Sequence, residues 1–170
     1  MVIEIEKLTE KDFLQGNKPF SSLFHVSIWN SQTRIKILSK QEIDNVSILP
    51  IIKAVLLWVN NNRESCSEAA IEEGMILLAE EWMKDEDSKV IDEKDCYLTI
   101  DKEKVFLPIT QTDFCNSLRV QSIVFSIEEG ITDIDMYINC VPDYYAGHVI
   151  WYNLIMKNDK IECECNGLEG

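Results

Sequence analysis

Apolar and polar residues alternate along most of the last third of the chain. Four segments show strand patterns: 120–127, 132–141, 149–156 and 161–165. In the second of them every other residue from Ile134 to Cys140 is apolar, a period of two that is typical of a strand with one buried face. The third is apolar on both faces, as expected of a strand inside a sheet. Short connections make neighbouring strands antiparallel, so residues 105–170 predict an antiparallel meander of about four strands.

Two further strand-like segments lie near the start of the chain. They span 23–29 and 34–38 and are separated by the polar residues 30–33. Ile35 and Ile37 alternate with basic neighbours, which indicates one buried face and one solvated face. We therefore expect a β-hairpin within the N-terminal region 1–45.

The centre of the chain shows no strand alternation and favours helices. Between Ile48 and Val59 only Pro50 and Lys53 interrupt the apolar residues, a composition typical of a helix that is buried on most sides. Ser47 can cap its start, and Pro50 is tolerated in a first helical turn.

A second helix is predicted over residues 66–83. Ser65 and Glu68 have the spacing of a capping box, and one apolar stripe follows at helical intervals. Its members are Ile71, Met75, Leu78 and Trp82. The segment 46–84 is therefore predicted to be a helical pair.

Two glutamates lie opposite that stripe on the predicted second helix. Glu73 and Glu80 are seven positions apart and so nearly superpose on a helix. Ile76 and Leu77 flank them. The pattern fits either a solvated surface with scattered apolar residues or a docking surface for a partner protein.

These elements define an α+β fold in a single domain over residues 1–170. We expect the two central helices to pack on one face of the antiparallel C-terminal sheet of about four strands, in a fold that also has an N-terminal β-hairpin. No internal repeat, low-complexity segment or Gly/Ser linker divides the chain.

The charge balance narrows the choice of partners. Among 170 residues there are 30 Asp and Glu against 16 Lys and Arg, which gives a formal net charge of −14. Nucleic acids and anionic membranes bind clustered Lys and Arg, and the sequence has no such cluster. We therefore expect neither of them as a partner and expect a protein with a basic surface instead.

The first residues and the cysteines point to a reducing compartment. Residues 1–7 lack the basic start and apolar run of a signal peptide, and the apolar stretch 48–59 is too short to span a bilayer. We therefore expect a cytoplasmic protein, in which the six cysteines are free thiols that pack as small apolar residues. A zinc site formed by Cys163, Cys165, Cys140 and His148 is an alternative, but strand alternation already explains the Cys163–Cys165 pair. No metal and no cofactor is predicted.

The densest group of chemically versatile residues lies at 142–150, with the sequence PDYYAGHVI. Asp143 can accept hydrogen bonds from backbone N–H groups of its own turn. Tyr144 and Tyr145 combine large apolar rings with polar tips. His148 can hydrogen-bond a turn carbonyl and so lock the turn, or it can contact a ligand.

This segment, together with the terminal Leu168–Gly170, resembles a group of bacterial domains of unknown function. Those domains end in a strand, an Asp-aromatic-x-Gly-His-x-Ile turn, another strand and a terminal Leu-x-Gly. Trp82 and the segment Ile109–Phe114 also lie where the group carries a Trp-bearing helix and an Ile-Thr-x-x-x-Phe segment. The resemblance covers about the second half of the chain. It implies an association with toxin–immunity loci, in which small acidic proteins neutralise a toxin.

Catalytic motifs are scarce. His25 and His148 are the two histidines, and no phosphate-binding loop, dinucleotide fingerprint or HExxH segment occurs. We therefore predict a non-enzymatic acidic protein-binding domain, such as an immunity protein, with no catalytic residue. A small hydrolase or metal-dependent enzyme that uses Asp143 and His148 is the alternative. The candidate binding residues are Asp143, Tyr144, Tyr145, His148, Glu73 and Glu80.

Overall fold

A computed structural model describes residues 2–13, 20–40, 44–84, 89–128, 130–158 and 160–170. The strands are β1 (Phe20–Ile28), β2 (Ser31–Ser39), β3 (Cys96–Leu98), β4 (Lys104–Phe106), β5 (Leu118–Ile127), β6 (Ile131–Cys140), β7 (Val149–Lys157) and β8 (Lys160–Glu169). The α-helices are α1 (Asn45–Asn61), α2 (Arg63–Glu72), α3 (Met75–Met83) and α4 (Gln111–Ser117). Short 3₁₀ turns lie at Ile5–Lys7 and Glu10–Asp12.

The main sheet has six strands in the order β1-β2-β5-β6-β7-β8. The predicted meander is confirmed as its β5–β8 part, with antiparallel pairing throughout. The prediction of about four strands was too small, because β2 pairs in parallel with β5, Ile35 opposite Ile123 and Ile37 opposite Phe125. The N-terminal hairpin therefore extends the C-terminal sheet.

The N-terminal hairpin itself is confirmed, with a tighter turn than the predicted 30–33. Ile28 pairs with Ser31, so Trp29 and Asn30 alone make the turn. Both residues have positive φ, 49° and 60°, as a two-residue turn of the type favoured in hairpins requires. Trp29 is held by its indole N–H, which donates to the Val59 carbonyl on α1 at 2.8 Å.

The first central helix begins earlier than the sequence predicts. The Asp44 carboxylate caps α1 by accepting from the Val46 N–H at 3.1 Å, whereas Ser47, the predicted cap, donates its hydroxyl to the Asp44 carbonyl within the first turn. Because the helix begins early, Pro50 is its sixth residue and lies beyond the first turn, contrary to the prediction, and its missing N–H leaves one i→i−4 hydrogen bond unmade.

The predicted second helix is two helices. Gly74 has φ 83°, a left-handed conformation that ends α2 and lets α3 begin with a new phase. The predicted single stripe is therefore wrong: Met75 is buried, but Trp82 remains 36 % exposed. The helical pair of residues 46–84 is a set of three helices.

All four helices pack on one face of the main sheet. Buried strand residues lie on that face in β1, β2, β5, β6 and β7, for example Val26, Ile37, Phe125, Ile138 and Tyr152. Their neighbours along the strands point to the opposite side and are exposed or only half-buried. We call that opposite side the open face. Its positions include His25, Arg34, Lys36, Val124, Asp135, Tyr137, Trp151, Asn153, Glu162 and Glu164.

A small hairpin, β3–β4, lies between α3 and α4. The acidic connection that precedes it includes residues 85–88, which lie outside the described residues. Thr110 caps α4 by accepting from the Asp113 N–H at 3.0 Å. α4 then leads directly into β5, so the crossover from β2 to β5 contains every helix of the described chain.

Candidate functional site

The motif at residues 142–148 forms a tight corner between β6 and β7, which we call the 142–148 corner. Both oxygens of the Asp143 carboxylate accept backbone N–H groups of the same turn. Oδ1 accepts from Tyr145 at 3.1 Å and Oδ2 from Gly147 at 2.7 Å. The carboxylate therefore fixes the backbone of the corner, as the sequence suggested for an aspartate in a turn.

His148 closes the same turn from its other end. Its backbone N–H and its imidazole Nδ1 both lie near the Tyr145 carbonyl oxygen, at 3.1 and 3.0 Å. Because a carbonyl oxygen only accepts, Nδ1 carries the proton in this arrangement. Gly147 between them has φ 91°, a conformation that residues with a Cβ rarely adopt. The geometry matches the turn-locking role proposed for His148.

Tyr144 and Tyr145 anchor the corner in the core. Both are buried, and the Tyr145 hydroxyl donates to the Met75 carbonyl at the start of α3, at 2.7 Å. Burial raises the pKa of Tyr144 to about 12 and raises that of Tyr145 further above its ordinary value, with nearby Cys140 contributing in both cases. Their hydroxyls are therefore neutral structural groups at physiological pH.

The imidazole packs against an aromatic side chain of the helix layer. The Trp82 and His148 rings meet edge to face, with centroids 5.1 Å apart, and Trp82 also contacts the Tyr145 ring in this way. A Cβ placed on Gly170 would lie 2.7 Å from His148 Cδ2, so Gly170 packs directly against the His148 side chain. The sequence placed Trp82 in a core stripe and did not bring it to His148.

Two clefts flank the corner. One of about 610 Å³ lies between α3, β3 and the corner and is lined by Trp82, Thr99, Asp143 and Ala146 among others. The second, of about 360 Å³, lies on the side of α4 and β4 and is lined by Phe106, Asn116 and Tyr144 among others. Only Asp143 among the predicted polar residues reaches the larger cleft, and its oxygens already accept two backbone N–H groups.

The two predicted helix glutamates do not form a common surface. Glu80 is largely covered, and its Oε1 accepts the Ile109 N–H at 2.8 Å. Glu73 ends α2 and is exposed. The break at Gly74 separates the two side chains, so the spacing of seven residues does not superpose them as it would on one continuous helix.

A different set of carboxylates does share a helix face. Glu64, Glu68 and Glu72 follow one another at intervals of four on the exposed side of α2. We call these three residues the acidic helix surface. On α3, beyond the break at Gly74, Leu77 is 68 % exposed. The interval of four between the three glutamates is visible in the sequence.

The cysteines are dispersed through the helix–sheet boundary. Cys66 on α2 hydrogen-bonds to Cys163 on β8, which raises the pKa of the Cys66 thiol and lowers that of Cys163. Burial raises the pKa of Cys140 to about 12. Within the part of the chain that the structure describes, no three His, Cys, Asp or Glu side chains converge where they could hold a metal ion.

The site thus belongs to a mixed α/β protein whose one large sheet is covered by helices on a single face. The chain belongs to the family DUF2262, uncharacterised proteins conserved in bacteria, whose model matches residues 6–164. The match includes the N-terminal third, which the sequence resemblance did not reach. No curated protein and no solved structure matches the chain.

The longest of the described helices is α1, with 17 residues. None of them is both long and apolar enough to cross a membrane.

Proposed function

We propose that this protein is a non-enzymatic binding domain that neutralises a basic protein partner, as a bacterial immunity protein neutralises its toxin. The observation that supports the proposal is the acidic helix surface, Glu64, Glu68 and Glu72. Three exposed carboxylates on one helix face suit a partner with a basic surface.

The acidic helix surface is unfavourable for the folded chain on its own. Like charges at intervals of four destabilise a helix by roughly 0.2–0.5 kcal/mol per pair. Among the described residues, no cationic side chain lies within 4 Å of Glu68 or Glu72. A basic partner would relieve this repulsion. Net charge −14 would in addition accelerate encounter with such a partner at low salt.

The 142–148 corner supports the proposal in a different way. The polar groups of Asp143 and His148 are engaged with the backbone of their own turn, and Tyr145 is engaged with Met75. These residues then act as a scaffold that fixes α3 against the sheet. In this proposal Tyr144, Tyr145, Asp143 and His148 do not contact the partner.

The test uses the protein encoded by the gene upstream of this one as the candidate toxin. We expect co-expression with this chain to abolish the toxicity, and the purified proteins to form a complex measurable by calorimetry. The double variant Glu68→Gln/Glu72→Gln should weaken binding at least about tenfold, as expected when two interface charges are lost. The same variant should unfold at a slightly higher denaturant concentration.

A matched control removes two exposed carboxylates elsewhere. Asp101→Asn/Glu103→Gln lies in the β3–β4 connection and loses the same charge. It should bind as the wild type does. Unchanged toxicity on co-expression, or equal weakening by both double variants, would refute the proposal.

The alternative is a small hydrolase or metal-dependent enzyme that uses Asp143 and His148. The cleft of about 610 Å³ beside Asp143 is the observation that favours it. Elemental analysis of the purified protein and a hydrolase screen of wild type against His148→Ala distinguish the two functions. A stoichiometric metal, or an activity that His148→Ala removes, would establish the alternative.

A further inference from the structure

We propose that the open face of the main sheet is a self-association surface, on which a second copy of this chain docks face to face. The inference concerns the opposite side of the molecule from the acidic helix surface. A test of this inference therefore does not depend on whether the proposed function is correct.

One half of the open face is basic. On β1, β2 and β5 its charged side chains are Arg34, Lys36 and Arg119, with His25 beside them. His25, Arg34 and Arg119 line a shallow cleft of about 390 Å³. No carboxylate occupies a described open-face position of these three strands. The chain has 30 acidic residues, yet none of them lies among these positions. The basic side chains therefore form a cationic patch.

The other half of the open face is acidic. The carboxylates on β6 and β8 are Asp133, Asp135, Glu162, Glu164 and Glu169. Lys157 at the end of β7 and Lys160 opposite it on β8 are the two cations among the described open-face positions of this half, against five carboxylates. The open face is therefore divided along the strand order, with positive charge at β1–β2 and negative charge at β6–β8.

This division is self-complementary under two-fold symmetry. A two-fold axis that runs along the strands between β5 and β6 would lay β1–β2 of one copy over β7–β8 of the other. The basic half of each copy then meets the acidic half of its partner, twice, as an isologous interface requires. Aligned stacking of two twisted sheets is also a common packing mode.

The centre of the open face carries the side chains that interfaces favour. Tyr137 and Trp151 lie opposite each other on β6 and β7 and are half-buried. Asp135 holds this region in place, because its Oδ1 accepts from the Trp151 indole N–H and from the Asn153 amide, both at 2.8 Å. Aromatic residues in a preorganised centre are typical of the residues that dominate binding energy.

The area is sufficient for a specific dimer. Six strands at their ordinary spacing span about 24 Å, and strands of nine or ten residues are about 30 Å long. Face-to-face docking would then bury about 600–700 Å² on each copy, or about 1,300 Å² in total, within the range of specific interfaces.

The net charge does not prevent this docking. The acidic helix surface lies on the outer side of the helix layer, separated from the second copy by the helices and the sheet. A helix alone is about 10 Å across, and charges are screened over about 8 Å at physiological ionic strength. The charge pairs across the open face therefore decide whether two copies attract or repel each other.

The test is sedimentation equilibrium of the full chain and of two charge-reversal variants. We expect the wild type to dimerise. Arg34→Glu/Lys36→Glu makes both halves acidic, and Glu162→Lys/Glu164→Lys makes both halves basic. Each variant alone should weaken dimerisation at least about 100-fold, because like charges then face each other. Mixed in equal amounts, the two variants should form a heterodimer, since every acidic half again meets a basic half.

The matched control is Glu68→Lys/Glu72→Lys. It changes the charge of the chain by the same amount as Glu162→Lys/Glu164→Lys, but on α2. It should dimerise as the wild type does, whatever its effect on a toxin. A monomeric wild type at high protein concentration would overturn the proposal. So would a dimer that neither reversal weakens, or two reversal variants that stay monomeric when mixed although each is folded by circular dichroism.

Discussion

The hydroxyl of Tyr145 donates a hydrogen bond to the backbone carbonyl of Met75, with 2.7 Å between the two oxygens. The residues are 70 positions apart and both are buried. One belongs to the 142–148 corner, the other to the first turn of α3. The bond therefore links the turn between β6 and β7 to the helix layer at the point where Gly74 breaks it.

Removing that hydroxyl should loosen the link without changing the fold. We expect Tyr145→Phe to lower the free energy of unfolding by about 1 kcal/mol, the ordinary net contribution of one hydrogen bond. Urea unfolding followed by fluorescence measures the change. Tyr97→Phe on β3, in the small hairpin, is the control and should be nearly neutral. Equal effects of the two variants would contradict the structural role of the bond.

The buried tyrosines predict a loss of stability in alkali. Burial raises the pKa of Tyr144 to about 12 and raises those of Tyr145 and Tyr152, whereas an unfolded tyrosine ionises near about 10. The unfolded chain thus releases these protons first as pH rises. Their contribution is fully present below about pH 10 and declines above it.

Urea unfolding at a series of alkaline pH values measures this decline. Tyrosinate absorbance of the folded chain should show some of the five tyrosines ionising only as the protein unfolds. The variant Tyr145→Phe/Tyr152→Phe should have a flatter stability profile above about pH 10. A folded protein in which all tyrosines ionise together at their ordinary pKa would exclude this account.

Glu80 is predicted to matter for stability rather than for binding. Its Oε1 accepts the Ile109 N–H at 2.8 Å, and Glu80→Ala would leave that part-buried donor without its acceptor. We expect a loss of about 1–2 kcal/mol in the free energy of unfolding. Glu80→Gln, which keeps a carbonyl oxygen, should lose less.

The neighbouring exposed Glu81 provides the control for Glu80. Glu81→Ala should change the free energy of unfolding by less than about 0.5 kcal/mol, as is usual at surface positions. Thermal or urea unfolding of Glu80→Ala, Glu80→Gln and Glu81→Ala measures the three changes in the free energy of unfolding. If Glu80→Ala lowered the free energy of unfolding no more than Glu81→Ala does, the Glu80–Ile109 hydrogen bond would not contribute to stability.

Asp143 is predicted to stabilise the 142–148 corner without contacting the partner. Asp143→Ala removes acceptors from the Tyr145 and Gly147 N–H groups, and we expect it to lower the free energy of unfolding by about 1–3 kcal/mol. The affinity for the toxin, measured where the variant is folded, should not change. Loss of affinity with unchanged stability would instead make the corner a contact site.

Much of the fold was predictable because its signals are local. The alternation in β5–β8 and the polar turns between those strands predicted the antiparallel meander, and the same reasoning gave the β1–β2 hairpin. In each case the residues that interact are close in sequence.

The errors arose where one residue overrides a periodic pattern. Gly74 interrupts residues 66–83 with a left-handed backbone, and the stripe that ended at Trp82 ceased to be continuous. Trp82 therefore lies beside His148, and Glu80 turns to Ile109. Helical periodicity assumes an unbroken helix, so it could not indicate these contacts.

The sequence by itself determined the six strands of the main sheet, their alternating faces, the acidic character of the chain and the turn chemistry of Asp143, Gly147 and His148, but not the small β3–β4 hairpin. Tertiary structure alone decided that β2 pairs with β5, that Tyr145 reaches Met75, and that the open face separates basic from acidic residues. The physical reason is the range of the interactions. Periodicity and turns depend on neighbouring residues, whereas the pairing of distant strands depends on which exposed backbone edges meet when the whole core is buried.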